Sequence, residues 1–173
     1  MGGMAFGGSA MAAGLLHPLV MPAHLLVLIG LGIVARGRLR VPMLAAFAMG
    51  LAGGLGAIAQ GIGETPAADV LLGIAALCGI TAAAQWNVPS WLAGLLAFCG
   101  GVAVGLDSPP EFIALGDAIV MLIGTGCGGV IALAMISLAA GFAGRLGQGI
   151  ALRIAASWIA AIAILVLALR LAG

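Results

Sequence analysis

From Ala118 to Ala143 the chain carries no charged residue, and the stretch from Val41 to Gly63 is equally free of charge. Runs of that length are what a helix needs to cross a hydrocarbon layer about 30 Å thick, at roughly 20 residues per crossing. A soluble fold meets water with a surface that makes about a quarter of its residues charged. Here 6% of residues are charged and 64% are hydrophobic, with a mean hydropathy of +1.34. Lipid is the solvent that suits such a chain, because a helix satisfies its own backbone polar groups inside the bilayer.

Charged and proline-rich breaks divide the sequence into about six spans, over 22–35, 41–63, 70–85, 91–106, 118–143 and 150–171. The expected fold is therefore an all-α integral membrane protein, with one helical domain over 1–173. Residues 1–16 are rich in Gly, Ala and Met and carry no basic residue, so they read as an apolar lead-in rather than a signal peptide.

The charges sort by loop. Arg36, Arg38, Arg40, Arg145 and Arg153 follow odd-numbered spans, whereas Glu64, Asp69, Asp107, Glu111 and Asp117 all follow even-numbered ones. Cytoplasmic loops collect the basic residues, which puts the arginine loops inside and both termini on the extracytoplasmic side. Arg170 is then the single cation on the outer side. This pattern suits a bacterial inner membrane. The arginines form no basic patch interleaved with aromatics, so a nucleic-acid partner is not expected.

Small residues recur at four-residue spacing at Gly50/Gly54, Gly53/Ala57, Gly101/Gly105 and Gly124/Gly128, a pattern that lets helix backbones approach closely. Cys78, Cys99 and Cys127 all lie in apolar stretches, where cysteine acts as a small hydrophobe. Gln60, Gln85, Thr81, Thr125 and Ser137 are expected to bond carbonyls across helix interfaces. No hydrolytic triad or phosphate loop is present, so the chain does not read as an enzyme, and no covalently bound cofactor is expected.

The two histidines, His17 and His24, stand seven residues apart in His17-Pro18-Leu19-Val20-Met21-Pro22-Ala23-His24. On a straight helix that spacing is roughly 10.5 Å of rise, too far for one ion. The residue before a proline is pushed from helical dihedrals, and Pro22 suits the first turn of a helix. A non-helical 17–21 stretch folded back on a helix from Pro22 would bring His17 towards His24. The same side holds Asp107, Glu111 and Asp117. Imidazoles and carboxylates together suit a borderline divalent cation such as nickel, cobalt or zinc. His17, His24 and Asp107 are the primary ligand candidates, with Met21, Glu111 and Asp117 beside them. The competing reading has His17 at the headgroup level and His24 bonded to a neighbouring helix, with Glu64 and Asp69 simply solvated.

These residues resemble the first-helix signature of the HupE/UreJ family, hydrogenase- and urease-linked permeases whose pattern reads roughly HPxxGxDHxxAM. His17, Pro18 and His24 match, whereas Met21 replaces the glycine, Ala23 the acid and Leu28 the methionine. The segment Cys99-Gly100-Gly101-Val102-Ala103-Val104-Gly105-Leu106-Asp107 is similar to the family's FHGxAHGxE pattern at Gly101, Ala103, Gly105 and Asp107, with Gly100 and Val104 in place of its histidines. The resemblance implies a permease whose substrate is nickel or another divalent metal. The alternative is a non-transporting accessory subunit, packed by its small-residue faces into a homo-oligomer or a larger membrane complex.

Overall fold

The computed structural model describes residues 10–37, 40–61, 67–109, 115–146 and 149–172. Those residues form seven helices: α1 (Ala10–Val20), α2 (Pro22–Val34), α3 (Arg40–Ala59), α4 (Ala67–Ala83), α5 (Ser90–Leu106), α6 (Leu115–Arg145) and α7 (Gly149–Ala172). Helices α3, α6 and α7 are long and apolar enough to cross a membrane, and α1 with α2 makes a fourth candidate if the bent pair is one span. The apolar α4 and α5 have 17 residues each, about 25 Å of rise.

The first element departs from expectation. Residues 17–20 are not an extended lead-in; they close α1, and the break falls at Met21 alone, in an extended conformation (φ −78°, ψ 118°). Of the two steps into proline, only the second breaks the helix. His17 stays helical ahead of Pro18 because α1 is clamped by its packing on α6, while Met21 is exposed with nothing to oppose the proline's preference. Pro22 then opens α2 at the position where its missing N–H costs nothing. The two helices meet at a bend of 69°.

Three helix pairs hold the bundle together, α3 with α5, α1 with α6 and α4 with α7, and α2 touches members of all three. Each pair is a glycine seam. A Cβ added at Gly50 or Gly54 would strike the backbone of α5 at Phe98 or Val102 closer than 3.0 Å, and one at Gly101 or Gly105 would strike α3 in return. Gly14 meets α6 at Met121 and Thr125, and Gly124 and Gly128 meet Met11 and Leu15. Gly79 packs on Ala156 and Ala160 at 2.7 Å for the added carbon. Backbone contact of this kind maximises dispersion where apolar burial gives helices no preference over lipid. Gly53 is not part of a seam; it is exposed with nothing within 4 Å.

The register of these contacts gives direction. Gly50 faces Phe98 and Gly54 faces Val102, so α3 and α5 run parallel, as do α1 and α6. Helix α7 runs against α4, since Arg170 reaches Asp69 at one end and Arg153 donates to the Ala83 carbonyl at the other.

Further expectations need correction. Thr81, Thr125 and Ser137 donate to carbonyls three or four residues back in their own helices, not across interfaces, and Gln60, in the turn after α3, donates back to the Gly56 carbonyl. Short side chains reach the preceding turn more easily than a neighbouring helix. Helix α3 stops at Ala59, and Gly61 takes φ +81° in the turn beyond it. Asp69 is not merely solvated, because Arg170 Nε lies 3.2 Å from its carboxylate. Cys78 is buried, but Cys127 is exposed on α6.

Candidate functional site

The elbow at Met21 carries the two imidazoles towards each other. His17 lies one turn before it and His24 early in α2, and their ring centres stand 5.4 Å apart, edge to face at 65°. The bend achieves what a straight helix cannot over that separation. Backbone hydrogen bonds bracket the joint: Met21 donates to the His17 carbonyl at 3.2 Å, and Leu25 donates to the Met21 carbonyl at 3.0 Å.

Asp107 arrives from the far end of α5. It caps that helix, its own N–H bonded to the Ala103 carbonyl at 2.9 Å. The buried Ser108 beside it donates to the Val104 carbonyl at 2.6 Å and fixes the chain's exit. So held, the carboxylate Oδ2 accepts from His24 Nε2 at 3.0 Å. It also stands beside the N-terminus of α2, the end of a helix that favours negative charge. His24 is fully buried, whereas the Asp107 side chain is 34% exposed. The pair thus joins a buried ring to a group that reaches the surface.

This bond selects a tautomer. An ionised carboxylate only accepts, so the proton of neutral His24 sits on Nε2 and the lone pair lies on Nδ1. Nδ1 is buried and has no hydrogen-bond partner among the described residues. A carboxylate on one imidazole nitrogen, with the other nitrogen presented, is the outer-shell arrangement that orients metal-ligating histidines.

Of the sequence-derived candidates, the structure thus gathers His17, His24 and Asp107. Met21 forms the joint itself and is exposed. Asp117 is exposed in the first turn of α6, apart from the His24–Asp107 pair. Glu111, like Glu64 and Arg38, lies outside the described residues. Among the described residues no group of three or more His, Cys, Asp or Glu side chains is arranged to hold a metal ion. Sequence reading missed Ser108; its only signal was its place directly after Asp107. It also missed the seam at Gly14, which lies ahead of the expected first span, in the stretch read as an apolar lead-in.

No protein-family model, curated protein or solved structure matches the chain.

Proposed function

We propose that the chain is a six-span permease of the bacterial inner membrane that passes a divalent transition metal, nickel foremost, through the elbow of its first span. One observation carries this reading: a fully buried histidine, oriented by a carboxylate on Nε2, presents next to a second imidazole an Nδ1 that has no hydrogen-bond partner among the described residues. Two imidazoles that share one ion stand about 5–6 Å apart, given metal–nitrogen bonds near 2.0–2.1 Å, and the observed spacing is 5.4 Å. A resident structural metal takes about four protein ligands. Two imidazoles with an outer-shell carboxylate instead suit an ion that arrives and leaves. The run of helix directions supports six passes, with α1 and α2 together forming the first.

Radiolabelled nickel uptake by cells tests the reading. His24→Ala is expected to abolish uptake, and Asp107→Asn to lower metal affinity about 10–100-fold, the usual cost of losing an outer-shell partner. Uptake unchanged in His24→Ala at equal expression would overturn it.

A second reading rests on Gly53 and Gly56, which are exposed on α3 and have nothing within 4 Å. They offer a close-packing face to a helix of another subunit, as a non-transporting accessory subunit would need. Native purification separates the two readings, since a stoichiometric companion protein supports the subunit and a lone metal-responsive protein supports the permease.

A further inference from the structure

At the end of the bundle away from the carboxylates, Arg36 and Arg40, four residues apart, and the distant Arg145 line one concavity. Arg36 follows the last turn of α2, Arg40 opens α3 and Arg145 closes α6, and with Gly37, Gly141 and Gly144 they surround about 290 Å³. Among the described residues the lining contains no carboxylate.

Helix electrostatics accounts for only part of this. Arg145 stands in the last turn of α6 and Arg36 just past the end of α2, where a cation complements the helix dipole. Arg40 is at the N-terminus of α3, the end at which a cation opposes the dipole. It is nonetheless held firmly. Its Nη2 donates to the Ser137 carbonyl at 3.3 Å, and the guanidinium lies across α6 over Gly141, where an added Cβ would come within 2.7 Å of it. The neighbouring Nε is buried and has no hydrogen-bond partner among the described residues. A buried guanidinium N–H left unbonded is costly, and a charged acceptor removes that cost.

We infer that this concavity binds a phosphate group, with the Arg40 guanidinium as the inner group and Arg36 and Arg145 as flanking charges. Guanidinium groups match phosphate oxygens in geometry as well as in charge. The volume is many times the roughly 30 Å³ share of one water. The phosphate has two sources, the headgroup of an anionic lipid or the free ion. Basic pockets between helices on the cytoplasmic side take lipid phosphates, and the positive-inside bias puts these arginines on that side. The inference rests on the chain spanning a membrane and is independent of transport.

The test uses the full chain, delipidated in a neutral detergent and examined by native mass spectrometry with phosphatidylglycerol or phosphatidylcholine, and by titration with inorganic phosphate. Wild type is expected to retain phosphatidylglycerol over phosphatidylcholine, with Arg40→Gln reducing that retention about tenfold and Arg145→Gln about fivefold. Phosphate binding of equal strength that Arg40→Gln also removes would assign the site to the free ion and keep the inference. Arg145 is exposed at a helix end, so its variant supplies the result if Arg40→Gln does not fold. Equal retention of the two lipids, together with no phosphate binding by wild type, would overturn the inference. So would anion binding that neither substitution changes.

Discussion

At one end of the bundle Asp69 meets Arg170 and Asp107 meets His24, whereas at the other Arg36, Arg40 and Arg145 line a cavity without a carboxylate among the described residues. The first end gives Asp69 and Asp107 partners within the chain. The second leaves positive charge for something outside to neutralise. Both ends are built from the same materials, polar residues at the limits of apolar helices. They differ in where the opposite charge comes from. An end that compensates itself can bury a histidine completely and hold it in one tautomer. An end that depends on a partner leaves its N–H groups poised for that partner.

The strongest way to break this comparison is to disrupt what holds both ends in place. Gly54→Val drives side-chain carbons into the Val102 carbonyl and is expected to cost about 3 kcal/mol or more. Gly53→Val, with open space around it, is expected to stay within about 0.5 kcal/mol of wild type. Thermal unfolding in detergent checks the pair, and equal melting of the two variants would rule out the seam.

A smaller effect sharpens the self-compensated end. Asp107→Ala leaves His24 buried with both ring nitrogens unbonded, at a cost of about 1–3 kcal/mol. Because the carboxylate is 34% exposed, the lower half of that range is expected. The double variant His24→Leu/Asp107→Ala should regain most of the loss, since two missing partners cost less than one. If the losses simply added, the hydrogen bond would have no energetic role.

The least is expected of the Asp69–Arg170 pair, whose side chains are 31% and 50% exposed. Arg170→Gln should cost about 0–1 kcal/mol, and the difference should fade near 1 M salt, where screening acts within about 3 Å. A larger, salt-insensitive loss would mark this ion pair as part of a buried network and narrow the contrast between the ends.

Much of this arrangement was legible in the residues. The all-helical fold followed from uninterrupted apolar runs. The approach of His17 to His24 came from the break before Pro22 and not from Pro18, which stays inside α1, and the alternation of charge between loops pointed to Asp107 beside them. The spacing of Gly50, Gly54, Gly101 and Gly105 marked faces fit for close packing, but that these two faces meet each other is seen only in the structure. The helical state of 17–20 was hidden because it depends on α6, over a hundred positions away, holding α1 against the preference that Pro18 imposes on its neighbour. The bonding of Thr81, Thr125 and Ser137 was misjudged because local geometry outweighs interface chemistry for a side chain that short. Arg40's role was invisible, since in sequence it is one of several cations after the first span. Only the contact with Ser137 and Gly141 sets it apart.

The seams have a mechanical consequence. Where backbone rests on backbone, neither partner can slide or roll without opening a void or forcing a collision. Helices α3 with α5, α1 with α6 and α4 with α7 therefore behave as three stiff struts. Helix α2 belongs to none of them as a primary partner, yet it touches all three and is joined to the preceding helix by the single extended residue Met21. Met21 is where that stiffness is interrupted between α1 and α2, and the two imidazoles stand on either side of it.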